Sequence, residues 1–279
     1  MAQVQVILPA RNEGPLLAAT LRSLALTRAG VDFDVVVVDD GSQPPADCGA
    51  GPRPDLIRTA GEGAAAARNR GATAGGAPVL CFCDAHLEFT PDWLVRLVDA
   101  LGEFDAVCPG IAAAGRPRAC GFGFTWGPRC EVRWLPRPVG RAEVPLLPGG
   151  CLCVRRSVFG DVGGFDAGLA PWGYEDAEFS WSLWQMGFRC GVEPNVSVAH
   201  HFRARHPYFI RQAEVDRNLL RLGCVHFGPA RLARLVARLG VGADVVAGVA
   251  ARAQTRRRWL HVRRRHDDDW VCARFGLPI

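Results

Sequence analysis

No apolar run in the sequence approaches the roughly 20 residues needed to cross a bilayer. The stretch Val241 to Ala251 is too short and is interrupted by Asp244. No basic segment leads an apolar one at the start, because Met1 to Ala10 passes straight into a strand-like run. The expectation is therefore no signal peptide and cytoplasmic residence. No CxxC pair is present, although there are 11 cysteines, an odd number. Cys81/Cys83 and Cys151/Cys153 instead form C-x-C pairs inside apolar runs, where cysteine behaves as a small hydrophobe. Zinc sites usually take loop ligands two to four residues apart, and thiols stay reduced without secretion. Neither a structural zinc nor a disulfide framework is expected. There is also no internal repeat, no low-complexity linker and no nucleic-acid motif with interleaved aromatics, which argues against nucleic-acid binding.

What the sequence does have is a globular composition. Its 279 residues are 49% hydrophobic and 22% charged, enough apolar content for a full core. The net charge of +5 is concentrated late, at Arg252, Arg256, Arg257, Arg258, Arg263, Arg264 and Arg265. Such a cluster ordinarily marks the solvated face of a surface helix. It also leaves peripheral contact with an anionic membrane open.

Strand and helix patterns alternate through the first half. Val4 to Leu8, Val35 to Val38 and Pro78 to Cys83 read as strands; Glu13 to Leu26 and Glu62 to Ala74 read as helices. Pro91 to Leu101 is a further helix, with Thr90 as its N-cap and Pro91 at its first position. Continuous apolar strands between helices predict an α/β fold with a parallel sheet covered on both faces. Gly110 to Pro148 reads as loops and short strands near the site, and Gly149 to Val154 as another strand. Glu175 to Met186 is a helix, Val192 to Ala199 a strand, and two or three helices follow. The division is a catalytic domain over 1–225 and a basic helical extension over 226–279 packed on it.

Ligands of such sheets bind beyond the carboxyl ends of the strands. The polar groups there are Arg11, Asn12 and Glu13, then Asp39 and Asp40, then Asp84 and His86. In extended chain, Asp84 and His86 point the same way, roughly 6.5 Å apart, and can converge on one divalent ion. His200 and His201 follow the later strand and can add a third ligand. Asp39 or Asp40 can accept a nucleobase N–H or ribose hydroxyls, or can close an Asx turn. Glu175, Asp176 and Glu178 open an amphipathic helix behind an aromatic and glycine-rich loop. Acids there balance the helix dipole, and one of them can serve as general base.

Taken together, these motifs resemble the GT-A-fold glycosyltransferases. VILPARNE, VVVVDDGS and GAAAARNRGA are similar to the nucleotide-binding half of family 2 enzymes. That resemblance implies donor contacts from Pro9, Arg11, Glu13 and Asp40, with Arg68 nearby. The second half is similar to the polypeptide N-acetylgalactosaminyltransferases, whose metal motif is DxH. Asp84 and His86 match it, Gly149-Gly150 and Trp172 in WGYED match the donor-binding strand and loop, and AHHFR makes His200 the third metal ligand. DDDWVCARFGLP is similar to the end of their catalytic domains, with no lectin module after it. The resemblance covers roughly residues 3 to 225.

It implies a Rossmann-like GT-A sheet with C-terminal helices, bound Mn2+ or Mg2+, and a UDP-sugar donor. The expected reaction moves a hexose or N-acetylhexosamine to a small-molecule or peptide acceptor. Asp176 stands where the relatives have Asn, giving the ED pair of inverting family 2 enzymes, so Asp176 is the expected base. A retaining route with Glu175 binding sugar hydroxyls is the alternative, and a silent nucleotide-sugar binder on the same fold is another. Tyr174 stands where the relatives have Gly, which bears on the sugar transferred.

Overall fold

Val36 to Val38 and Leu80 to Cys83 are buried to within 1% of their surface, as strands covered on both faces must be. The computed structural model describes residues 2–27, 29–49 and 54–279. Their first half runs β1 (Val4–Ala10), α1 (Pro15–Leu26), β2 (Phe33–Asp40), β3 (Asp55–Thr59), α2 (Ala64–Ala72), β4 (Val79–Cys83), β5 (Leu87–Phe89) and α3 (Trp93–Ala100). The middle continues with β6 (Ala106–Ala113), β7 (Arg116–Gly121), β8 (Phe124–Trp126), β9 (Val132–Trp134), β10 (Ala142–Glu143) and β11 (Cys151–Arg155). α4 (Arg156–Asp161), α5 (Glu175–Gln185), β12 (Cys190–His200), α6 (Gln212–His226), α7 (Pro229–Leu239), α8 (Ala243–His261) and α9 (Asp268–Phe275) follow.

The main sheet has the order β10-β12-β6-β11-β4-β1-β2-β3. β3, β2, β1 and β4 are parallel, as expected. β11 corrects the all-parallel reading: it lies antiparallel to both β4 and β6. Its reversal has a consequence for position. Cys151 pairs with Cys83, and the Asp84 N–H donates to the Gly150 carbonyl at 2.9 Å. The Gly149-Gly150 turn is thereby held at the carboxyl end of β4.

Alternation along β4 divides the core. Leu80 and Phe82 face one hydrophobic cluster with Leu152 and Val154. Cys81, Cys83, Cys151 and Cys153 face the other, with Leu17, Leu21, Leu94 and Leu97 of α1 and α3. The C-x-C pairs are thus the small residues of a buried sheet face.

Several local expectations are corrected. α1 begins at Pro15, its N1 residue, so Glu13 precedes the helix rather than lying in it. Met1 of the run read from Met1 to Ala10 lies outside the described residues. Thr90 does not cap α3: its hydroxyl donates to the Ser197 carbonyl, and Asp92 takes the cap position at φ 59°. The strand read from Gly149 starts at Cys151, and four helices follow β12 among the described residues. β3 escaped the pattern because its side chains are half-buried or exposed. The basic cluster is divided as well. Arg252, Arg258 and Arg263 are exposed, but Arg256 bonds Glu178 at 3.1 Å and Arg257 donates to the carbonyls of Cys224 and Phe227. No described helix is long and apolar enough to cross a membrane.

α2 lies close against β1 because Gly71 has no side chain. A β-carbon there would stand 2.3 Å from Ile7 Cγ2. Gly71→Ala should therefore cost about 1–3 kcal/mol through overpacking, read as a lower urea midpoint with unchanged slope; unchanged stability would show that the helix packs more loosely than described.

Candidate active site

The carboxyl ends of β1, β2 and β4 open into a cleft of about 540 Å³. Most residues nominated from sequence border it: Pro9, Arg11, Glu13 and Asp40, then Arg68, Asp84, His86 and His200, then Gly149, Gly150, Trp172, Glu175 and Asp176; Asn12, Asp39, Glu178 and His201 do not. The two adjacent acids of β2 separate. Asp39 closes the turn, accepting the N–H groups of Ser42 and Ala46. Asp40 accepts the Glu62 and Gly63 N–H groups and the Thr59 hydroxyl while facing the cleft.

The cation site differs from an extended D-x-H. Residues 84–86 form a bend between β4 and β5, which brings the side chains closer than a flat strand would. His86 Nε2 lies 3.9 Å and His200 Nε2 3.3 Å from Asp84 Oδ2. Ligands on one ion at about 2.1 Å stand about 3 Å apart when adjacent. The other atoms of two ligands are engaged: Asp84 Oδ1 accepts from Arg68 at 3.3 Å, and His86 Nδ1 meets Glu13 Oε2 at 3.1 Å. One carboxylate oxygen and two imidazole nitrogens therefore converge, and this donor set fits a divalent ion of intermediate hardness. Burial pushes the Asp84 carboxyl upward, but the His200 hydrogen bond and the charges of His86 and Arg68 outweigh it and hold the group well below the usual range. His201 lies apart, paired with Glu88 at 2.7 Å.

Arg68 joins this site to the acids of α5. It comes from α2, is 3% exposed, and donates to Glu175 at 2.9 Å and to the Gly149 carbonyl at 3.1 Å as well as to Asp84. Glu175 also accepts the Gly173 N–H. Asp176 points to the cleft and accepts the N–H groups of Gly149 and Ala177. Burial and the neighbouring Glu175 charge push the Asp176 carboxyl up to about 6, against the pull of Gly149 and Arg68. The glycine pair permits this proximity. A β-carbon at Gly149 would meet Asp176 at 3.2 Å, and one at Gly150 would meet His200 at 3.4 Å. Glu178, the third acid of α5, faces the interior. Burial pushes its carboxyl up, but Arg256 and His226 outweigh it and bring it down to about 2.

Sequence reasoning missed the segment after β12. The Arg11 guanidinium sits 4.8 Å from the centroid of the Tyr208 ring, and Asn12 Nδ2 donates to the Pro207 carbonyl. Trp172 packs on His206 at 4.4 Å between centroids, and Arg203 pairs with Glu13. Trp134 and Phe202 also border the cleft, with ring centroids 6.4 Å apart. These residues lie in irregular chain or in short strands, where periodicity is silent. The one available signal was the density of arginine and aromatic residues directly after His200.

The profile of Glycosyl transferase family 2 matches residues 5–126. Polypeptide N-acetylgalactosaminyltransferase 16 of Mus musculus is 31% identical over 230 residues, 73% of this chain and 41% of that protein. Polypeptide N-acetylgalactosaminyltransferase 12 of Mus musculus is 33% identical over 177 residues, 56% of this chain and 31% of that protein. The chain thus spans less than half the length of these relatives. Among solved structures, GalNAc-T7 with UDP, GalNAc and Mn2+ superposes with a TM-score of 0.79 at 19% identity, covering 100% of this chain and 59% of the other. The mannosyltransferase PcManGT from Pyrobaculum calidifontis, with GDP-Man and Mn2+, gives 0.56 at 18% identity, covering 91% and 74%. The chain thus has the GT-A fold of GalNAc-T7, its residues 5–126 match Glycosyl transferase family 2, and its sequence is similar to the polypeptide N-acetylgalactosaminyltransferases.

Proposed function

We propose that this protein transfers a hexose or N-acetylhexosamine from a UDP-sugar to a hydroxyl of a small-molecule or peptide acceptor, with inversion and with Asp176 as base. The observation that carries this reading is the arrangement around Arg68. On one side, Asp84, His86 and His200 converge as a cation site; on the other, Asp176 faces the same cleft with its carboxyl raised to about 6. The names of structural neighbours, complexes with Mn2+ and a nucleotide or nucleotide-sugar, support Mn2+ or Mg2+ and a nucleotide-linked donor.

Mn2+ held by Asp84, His86 and His200 would supply Lewis acidity toward the donor's diphosphate. The protein's own groups have distinct parts. Arg11 and Asp40 border the end of the cleft where the nucleotide would lie. Arg68 keeps Asp84 ionised and fixes Glu175. Asp176 is held by two backbone N–H groups, which orient its carboxylate without supplying a proton. A base with a raised pKa takes the acceptor proton more readily than an ordinary carboxylate, since the optimum lies near the working pH. The family resemblance offers a retaining alternative in which Glu175 binds sugar hydroxyls. Against it, Glu175 is already engaged by Arg68 and Gly173.

Asp176→Asn should keep UDP-sugar affinity and reduce kcat by about 10²–10⁴-fold, the usual worth of a general base. Near-normal turnover would remove Asp176 from that role. The base works when ionised, so kcat/KM of the unaltered protein should rise with pH through about 6 and then level; a flat profile from pH 5 to 8 contradicts it. Proton NMR of the first product formed should show an anomeric configuration opposite to the donor's, and the same configuration would establish retention.

A further inference from the structure

We infer that Glu13, which the family resemblance assigns to the donor, is instead the positioning residue of the metal ligand His86, and that Arg203 holds it there. This rests on the proposed cation site. Glu13 lies in the turn between β1 and α1, with its side chain 9% exposed. Its Oε2 meets His86 Nδ1 at 3.1 Å and also pairs with Arg203, which comes from beyond β12. A carboxylate on the far nitrogen of a ligating imidazole fixes the tautomer, directs Nε2 to the ion and raises its basicity. His86 Nε2 is the nitrogen directed toward Asp84 Oδ2. The other imidazole has no such anchor, because His200 Nδ1 is buried without a hydrogen-bond partner among the described residues. Tuning of the site therefore falls on His86.

The charge arrangement points the same way. A carboxylate placed to contact a diphosphate would repel it unless neutralised. Here Glu13 is neutralised by the Arg203 guanidinium and hydrogen-bonded by the His86 imidazole, both fixed by the protein. Arg203 joins the chain after the third ligand to the turn before α1, so the two strand ends that frame the cation are clamped through one carboxylate. In this account the charge of Arg203 is directed to Glu13, not to the donor phosphates.

The test is Mn2+ affinity, read from the free-ion EPR signal, together with UDP affinity in the presence of EDTA. Glu13→Ala should weaken Mn2+ binding by about 10- to 100-fold and leave metal-free UDP affinity unchanged. Glu13→Gln, nearly isosteric, should lose less, since its carbonyl still accepts from Nδ1–H; it also serves if the alanine variant folds poorly. Arg203→Met should weaken Mn2+ binding too, and combined with Glu13→Ala should add nothing further, because both act through one contact. Unchanged Mn2+ affinity with weakened metal-free UDP binding would make Glu13 a donor contact and overturn the inference. Losses that multiply in the double variant would overturn the part given to Arg203. If the unaltered protein takes up no Mn2+, the proposed function falls and this inference with it.

Discussion

The buried guanidinium of Arg68 lies between two carboxylates from distant parts of the chain, Asp84 at the end of β4 and Glu175 at the start of α5. With Asp176 alongside, three acids crowd the surroundings of Arg68, and like charges at such spacing repel strongly where water is scarce. Arg68 offsets that repulsion and sorts the acids. Asp84 is held ionised beside two imidazoles, Glu175 is fixed by the cation and the Gly173 N–H, and Asp176 is left with a raised carboxyl. Removing one partner of such a buried group is costly, since it strands a charge. The placement of α2 is accordingly a functional matter, and the bare Gly71 surface against Ile7 is what allows it.

The antiparallel strand β11 is the second constraint. Were it parallel, its first residues would lie at the far end of the sheet. Running backwards between β4 and β6, it delivers two glycines to the point where the cation site and the ED pair meet. Gly149 then serves both sides, its carbonyl accepting from Arg68 and its N–H donating to Asp176. The second half of the molecule is thus joined to the first through backbone groups as well as through the Arg68–Glu175 pair, and no side-chain pattern announces those backbone contacts.

That explains which parts were legible in the sequence. β1, β2 and β4 are apolar runs with polar residues at their carboxyl ends, and the rule for parallel sheets located the cleft from those alone. The motif order then nominated Asp84, His86, His200 and Asp176, all of which border it. The direction of β11 was hidden, because a buried apolar strand reads the same either way. The bend at 84–86 was hidden too, since two residues of alternation cannot distinguish a strand from a turn. Tyr208, His206 and Arg203 lie in irregular chain, and the separate fates of Asp39 and Asp40 depend on loop N–H groups that approach from elsewhere. The basic cluster misled in part: Arg256 and Arg257 face inward because Glu178 and helix-end carbonyls wait for them.

The central claim is that one divalent ion sits among Asp84, His86 and His200 and holds a nucleotide-linked donor in this cleft. Crystals soaked with MnCl2 and UDP, measured at the manganese absorption edge, test it directly. One strong anomalous peak is expected within bonding distance of Asp84 Oδ2 and both Nε2 atoms, with UDP phosphate density beside it. UDP density with no anomalous peak at those three residues, or a peak bound elsewhere, would contradict it.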